Sequence, residues 1–218
     1  MSDPVVIVSV ARTPVGAMQG ELSGFAAHQL GSHAIKAAVE RAGLKPEQVQ
    51  EVIMGCVLPA GQGQAPARQA ALGAGLPKAT GATTINKVCG SGMKAAMFAH
   101  DLLVAGSQDI IVAGGMESMT NAPYMMQKGR GGYRYGHATM FDHMALDGLE
   151  DAYEKTPNGG GKSMASSPRT VPASTPSHVK SRMPMRSNRP GARSQPTTTA
   201  ASSGKSPPSP WPAARATW

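Results

Sequence analysis

Cys89 is the residue of this chain whose type and position are best suited to chemistry. It follows a short apolar strand and lies among small residues in the segment Val88-Cys89-Gly90-Ser91-Gly92. From Met93 onward, apolar residues recur at helical spacing until Gly106, which places the cysteine just before a predicted helix N-terminus. The N–H groups at such a terminus favour thiolate over thiol and can bring a cysteine pKa from about 8.5 into the range of roughly 3.5 to 7.5. We therefore predict a nucleophile at Cys89, with a small buried hydrophobic residue as the alternative.

The small residues after Cys89 add to this prediction. Gly90, Ser91 and Gly92 would leave room for a bulky acyl group, and backbone N–H groups in this segment could point at an oxyanion. The chemistry that fits is covalent acyl transfer through a thioester.

Other reactive side chains give weaker signals. His100 lies on the apolar side of the predicted helix after Cys89, where a core or interface histidine is expected. His137 and His143 are six residues apart, which does not match the usual spacing of metal ligands, so we predict no metal site. Cys56 lies on a predicted strand and is expected in the core. The segment Gly61-Gln62-Gly63-Gln64 lacks the third glycine and the lysine of a phosphate-binding loop.

The elements that must position Cys89 alternate between strand and helix. Continuous or alternating apolar runs predict strands, and apolar residues at 3.6-residue spacing predict helices. The predicted strands are 5–10, 51–57, 83–86 and 109–113, and the predicted helices are 25–42, 65–72 and 91–105. This order predicts an α/β sheet with right-handed crossovers.

Composition divides the chain sharply after Lys155. Residues 1–155 carry a net charge of −1, whereas residues 156–218 carry +9 with no Asp or Glu. The second segment has 11 prolines and 12 serines but no Leu, Ile, Phe or Tyr, so it cannot build a core and we predict a disordered tail. A tail of this charge should bind polyanions weakly, without sequence preference, and release them as salt rises.

Cysteine usage and hydropathy give expectations about the compartment. Two cysteines cannot make a disulfide framework, and the opening Met-Ser-Asp-Pro leads directly into a strand, which favours a reducing cytoplasm. Because no apolar run approaches the roughly 20 residues of a membrane helix, we expect no membrane association.

Four motifs, in order and at the right distances, resemble the thiolases, the acetyl-CoA acetyltransferases. The segment Asn86–Ala95 is similar to their nucleophile motif. The other three are Ala11–Gly16, Ala67–Ala71 and Gly114–Met119, which resemble the opening turn, the helix ahead of the nucleophile strand and the end of the fourth strand. The resemblance covers residues 1 to about 155 without a gap.

The resemblance implies half of a layered αβαβα body. Residues 1–118 would be the N-terminal α/β domain, a βαβαβ half-fold with a mixed sheet and flanking helices, and residues 119–155 the first part of a loop domain. The basic and aromatic segment Lys128–Tyr135 would make contacts in a homodimer or homotetramer, with a nucleic-acid contact as the alternative. The unrelated residues 156–218 suggest a reading-frame change after Lys155, which resequencing of that region would test.

The resemblance also implies the chemistry. Cys89 would take an acyl group from acyl-CoA, and a second acyl-CoA would attack the acyl-cysteine, in Claisen condensation or, in reverse, thiolysis of 3-oxoacyl-CoA. The Cys89 N–H would contribute to one oxyanion hole, and no tightly bound cofactor is implied. The family's histidine, second cysteine, asparagine and CoA-binding segments lie in later parts, so this chain is expected to lack turnover. Alternatives are a ketoacyl-synthase-like condensing enzyme and a non-catalytic remnant or subunit-association module.

Overall fold

The computed structural model of the chain describes residues 5–164 and, for the backbone alone, 198–202. These residues fall into two compact units that divide between Gly148 and Leu149, with 198–202 in the first unit. In chain order the strands and helices are β1 (Val6–Ala11), α1 (Ala27–Arg41), β2 (Glu51–Gly55), α2 (Pro66–Gly73), β3 (Gly81–Ile85), α3 (Ser91–Val104), β4 (Ile110–Gly115), β5 (Tyr124–Met126), β6 (Met140–Asp142), β7 (Glu150–Lys155), β8 (Gly161–Ser163) and β9 (Thr198–Ser202). Short 3-10 helices at Pro46–Gln48, Met119–Asn121 and Gly129–Gly131 and a π-helix at Met144–Leu149 complete the list.

The centre of the first unit is a five-stranded mixed sheet in the order β1-β9-β4-β2-β3. Strand β2 pairs in parallel with both β3 and β4, and β9 pairs antiparallel with both β1 and β4. The predicted α/β class with a mixed sheet and flanking helices is confirmed. All seven elements predicted up to residue 115 are present, with ends shifted by a few residues.

Successive residues of β2 point to opposite faces of this sheet, and each face has its own core. On one face, Val52 and Met54 pack with α1 and α2; on the other, Ile53 packs with α3. The buried side of α3 consists of residues at four-residue spacing, the small Ser91, Ala95 and Ala99 and, near the carboxyl end, Leu103.

The opposite side of α3 carries larger apolar side chains that are exposed. Met93 is 68%, Met97 49% and Val104 60% exposed. The sequence predicts His100 in a core or an interface. The core alternative is wrong, because His100 is exposed and its Nδ1 lies 3.2 Å from Asp101 Oδ1. The alanine stripe, Ala95 and Ala99, lets the helix pack closely on the sheet. The methionine stripe, Met93 and Met97, therefore lies on the exposed side.

The predicted disordered tail needs correction at two places. Residues Gly161–Ser163 and Thr198–Ser202 are strands, and β9 lies between β1 and β4. Composition predicted disorder because little apolar area is available. Yet an uncharged, threonine-rich segment can gain backbone hydrogen bonds on both sides when it enters a sheet between two strands. The rest of the tail beyond residue 164, and with it most of the charge that predicts polyanion binding, lies outside the described residues.

The second unit contains the hairpin β7–β8. Glu150 pairs with Ser163 and Lys155 with Gly161. The turn is closed by a hydrogen bond from the Thr156 N–H to the Gly160 carbonyl (2.8 Å). The boundaries that the sequence predicted at 118 and 155 stay predictions. Within the described part of the chain, no helix combines the length and hydropathy needed to cross a membrane.

Candidate active site

Cys89 lies in the five-residue connection between β3 and α3, and its side chain is an exposed free thiol. The connection is a tight turn in which Gly90 N–H donates to the Lys87 carbonyl (3.0 Å) and Ser91 N–H donates to the Val88 carbonyl (3.1 Å). The predicted helix start is confirmed, since α3 begins at Ser91. The strand-to-helix turn therefore presents the thiol to solvent at the amino end of the helix.

The same hydrogen bonds correct part of the predicted oxyanion site. The Gly90 and Ser91 N–H groups were candidates to point at an oxyanion, but both donate to carbonyls of the turn itself. Both bonds close the turn between Lys87 and Ser91. The oxyanion role predicted for the Cys89 N–H stays a prediction.

Val88, immediately before Cys89, has an unusual backbone conformation. Its φ is +47°, in the left-handed region that β-branched residues rarely adopt. Such a conformation costs on the order of 1–3 kcal/mol and persists only where surrounding contacts impose it. Two polar side chains supply such contacts. Asn86 Oδ1 accepts from the Val88 N–H at 2.9 Å, and Ser91 Oγ donates to the Val88 carbonyl at 2.6 Å.

Glycines set the distance between the start of α3 and the sheet. A Cβ placed on Gly55 would lie 2.5 Å from Ser91 Cβ and 2.8 Å from the Gly92 nitrogen. On the neighbouring strand, a Cβ on Gly115 would lie 3.4 Å from Gly92 Cα. The amino end of α3 therefore packs directly on the backbone of β2 and β4, where only glycine fits at position 55 without a shift. No motif in the sequence pointed to Gly55.

Glu117, just after β4, connects the ends of β2 and β4. Its carboxylate accepts from the Val57 N–H at 2.8 Å and the Leu58 N–H at 3.1 Å, and its Oε1 lies 3.5 Å from Cys56 Sγ. The sequence analysis used Glu117 only as part of a family motif. Its carboxylate satisfies two backbone donors of the loop that follows β2, so its role here is structural.

Cys56 is in the core, as predicted, at 1% exposure. Burial and the nearby Glu117 carboxylate raise the pKa of the Cys56 thiol to about 11. Gln62 Nε2 also approaches its sulfur at 3.3 Å. Since the thiolate is the reactive form, Cys56 is an inert thiol at neutral pH.

The two cysteines should therefore differ strongly in alkylation. Near neutral pH we expect iodoacetamide to label Cys89 far faster than Cys56, because a thiol with a pKa of about 11 is thiolate only to about 1 part in 10⁴ at pH 7. Labelling of Cys56 should rise with pH towards 11, since its thiolate fraction grows about tenfold per pH unit below its pKa. Peptide mass spectrometry of the folded chain measures both rates. Equal labelling at neutral pH would contradict this prediction.

His143 has a structural position that the sequence analysis missed. It is 4% exposed, its Nε2 accepts from the Ala60 N–H at 3.3 Å, and its Nδ1 lies 2.5 Å from Asp147 Oδ2. With Nε2 as acceptor, Nδ1 carries the proton and donates to Asp147. His143 thereby holds the loop after β2, while His137 is exposed. Among the described residues, no three His, Cys, Asp or Glu side chains are grouped as metal ligands would be.

Comparisons with known proteins identify a family for this chain. Residues 5–167 match the family Thiolase, N-terminal domain. The chain is 59% identical over 151 residues to mitochondrial acetyl-CoA acetyltransferase B of Xenopus laevis and 57% identical over 151 residues to acetyl-CoA acetyltransferase of Cupriavidus necator. It is 55% identical over 152 residues to the cytosolic acetyl-CoA acetyltransferase ERG10 of Gibberella zeae.

These matches cover 69–70% of this chain and 36–38% of each relative. The chain therefore spans little more than a third of the length of the curated relatives it matches. The resemblance that the sequence motifs carried, from residue 1 to about 155, is confirmed by a family match over three quarters of the chain. This chain belongs to the thiolase family, and residues 5–167 correspond to its N-terminal domain.

Proposed function

We propose that Cys89 accepts an acyl group from acyl-CoA, as the first step of Claisen condensation or of thiolysis of 3-oxoacyl-CoA. The observation that carries this proposal is the exposed thiol of Cys89, held at the strand-to-helix turn before α3. The names of the relatives, acetyl-CoA acetyltransferases, favour acetyl-CoA as the donor. No tightly held cofactor is required, because acyl-CoA is itself the substrate.

The step is a thioester exchange. The Cys89 thiolate attacks the carbonyl carbon of acyl-CoA, a new carbon–sulfur bond forms, and the bond to the CoA sulfur breaks to release CoA as thiolate. The negative charge of the tetrahedral intermediate falls on the carbonyl oxygen, where we place the Cys89 N–H as one donor.

The second half-reaction needs groups that this turn does not supply. Condensation requires a base to remove a proton from the α-carbon of a second acyl-CoA, and thiolysis requires a base for the thiol of CoA. None of the hydrogen bonds at the turn, within the described residues, involves a histidine. We therefore propose that residues 5–167 carry the acyl-accepting half of the site, and that a further part of a thiolase supplies the base and acid.

A second candidate function is a non-catalytic remnant or subunit-association module. The exposed stripe of Met93, Met97 and Val104 on α3 favours it, because an exposed apolar surface of this kind marks an interaction site. The position of β3 at the edge of the sheet supports a homodimer or homotetramer. Sedimentation of the purified chain would test this association, and a monomer at all concentrations would contradict it.

We propose a cytoplasmic location. The two free thiols, Cys56 and Cys89, support a reducing compartment, and one relative is named as cytosolic, although others are named as mitochondrial. Imaging of the tagged chain in its source cells tests this proposal, and enrichment in an organelle would contradict it.

Transfer of an acetyl group to Cys89 distinguishes the proposed acyltransferase from a non-catalytic remnant. On incubation with radiolabelled acetyl-CoA, we expect one acetyl group per chain, located on the peptide that contains Cys89. The Cys89→Ser variant should lose thioester label, and Cys56→Ser, the matched control, should keep it because Cys56 is buried. Absence of label on Cys89 in a folded chain would favour the non-catalytic module.

A further inference from the structure

Val88, in the turn before Cys89, has a strained backbone conformation that burial of its own side chain does not fully offset. Among the described residues, four non-glycine residues have positive φ, and Val88 is the β-branched one. Val88 is 44% exposed, so burial of its isopropyl group offsets only part of this cost. Hydrogen bonds of its two flanking peptide groups also hold the conformation.

Both of these peptide groups are held by side chains. Asn86 Oδ1 accepts from the Val88 N–H at 2.9 Å. On the other side, Ser91 Oγ donates to the Val88 carbonyl at 2.6 Å and accepts from the Lys87 N–H at 2.8 Å. The bond to Asn86 holds the peptide group before Val88. The bond from Ser91 Oγ to the Val88 carbonyl holds the peptide group between Val88 and Cys89. Together they restrain φ and ψ of Val88.

Asn86 is also tied to the neighbouring loop. Its Nδ2 donates to the Val57 carbonyl at 3.4 Å, and the Val57 N–H donates to Glu117 at 2.8 Å. The amide of Asn86 is thus oriented with its oxygen towards Val88 and its nitrogen towards the loop after β2. We expect that without this amide Val88 relaxes towards negative φ, which would turn the following peptide and move the Cys89 thiol.

We propose that Asn86 is a positioning residue for Cys89, acting through the strained conformation of Val88. This inference rests on the proposed function, since it explains how the acyl-accepting thiol is kept exposed at the start of α3. Ser91 contributes to the same turn, but it is 4% exposed and packs against Gly55, so its substitution would also disturb the core. Asn86 is exposed and offers the cleaner test.

The test is a double-mutant cycle on the full chain, read by the iodoacetamide rate of Cys89. Asn86→Ala should slow alkylation about tenfold relative to the wild type, because loss of the bond lets a strained residue relax. In the Val88→Gly background, Asn86→Ala should change the rate less than about twofold, because glycine adopts positive φ about as readily as negative φ. The unfolding midpoint of each variant is measured alongside.

The coupling between the two positions decides the proposal. A general structural role of Asn86 would slow alkylation equally with valine or glycine at position 88, and that result would overturn the inference. An unchanged rate in Asn86→Ala would overturn it as well. If Asn86→Ala does not fold, the alkylation rate of Val88→Gly is compared with that of the double variant. A change of less than about twofold supports the proposal, and a slowdown of about tenfold contradicts it. Alkylation uses no acyl-CoA, so its outcome is independent of whether Cys89 accepts an acetyl group.

Discussion

Replacing Cys89 by serine is expected to abolish thiolysis in a completed enzyme, and the 218-residue chain by itself is expected to show none. The completed enzyme is a chimaera in which residues 1–155 replace the corresponding part of the Cupriavidus necator relative, to which the chain is 57% identical over 151 residues. General acid and base groups contribute about 10²–10⁴ each to the rate, so we expect no measurable turnover where only the proposed nucleophile, Cys89, is in place.

In the chimaera, thiolysis of acetoacetyl-CoA should be restored, and Cys89→Ser should reduce kcat by about 10⁴ or more, because the covalent intermediate cannot form efficiently. Cys56→Ser is the matched control and should retain activity, since Cys56 is a buried thiol that lies beside Glu117. The decrease in acetoacetyl-CoA absorbance measures the rate. Turnover by the 218-residue chain alone would contradict this prediction.

Replacing Gly55 by alanine is expected to displace the amino end of α3 and to destabilise the fold. The new Cβ would lie 2.5 Å from Ser91 Cβ and 2.7 Å from the Ser91 carbonyl carbon, both closer than a real Cβ approaches its neighbours. Because part of this contact is with backbone, a rotamer change cannot relieve it, and overpacking of this kind costs about 1–3 kcal/mol. We expect a lower free energy of unfolding and slower alkylation of Cys89.

Gly24→Ala is the control for this substitution, because nothing lies within 4 Å of a Cβ at Gly24. Urea unfolding and the iodoacetamide rate of Cys89 should both remain near the wild-type values in this control. A Gly55→Ala variant with wild-type stability and wild-type alkylation would show that α3 does not need the close approach to β2.

Local pattern was sufficient to place the candidate nucleophile, Cys89, at the turn before a helix. The β-branched strand, the small residues after Cys89 and the helical periodicity from Met93 are all encoded within about 20 consecutive residues. Helix α3 consequently begins at the predicted residue, Ser91, and the strands and helices before it were predicted to within a few residues. Family membership also followed from short motifs, because their order and spacing are properties of the sequence itself.

The buried face of α3 could not be predicted in this way. Periodicity from Met93 predicts that the side carrying Met93, Met97 and His100 is the apolar face, and this prediction is wrong because that side is exposed. Close packing on the glycine backbone of β2 and β4 favours the smaller side chains, Ala95 and Ala99, and leaves Met93 and Met97 exposed.

The sequence by itself thus determined the family, the order of the elements and the identity of Cys89 as the candidate nucleophile, because these depend on local pattern. Tertiary structure alone decided which distant segments hold the loop after β2 and complete the sheet. The bonds of Glu117 to Val57 and of His143 to Ala60 join residues 60 and 83 positions apart, and β9 enters the sheet from a segment whose composition predicted disorder. Such contacts depend on which chain segments the fold brings together, and no local spacing encodes them.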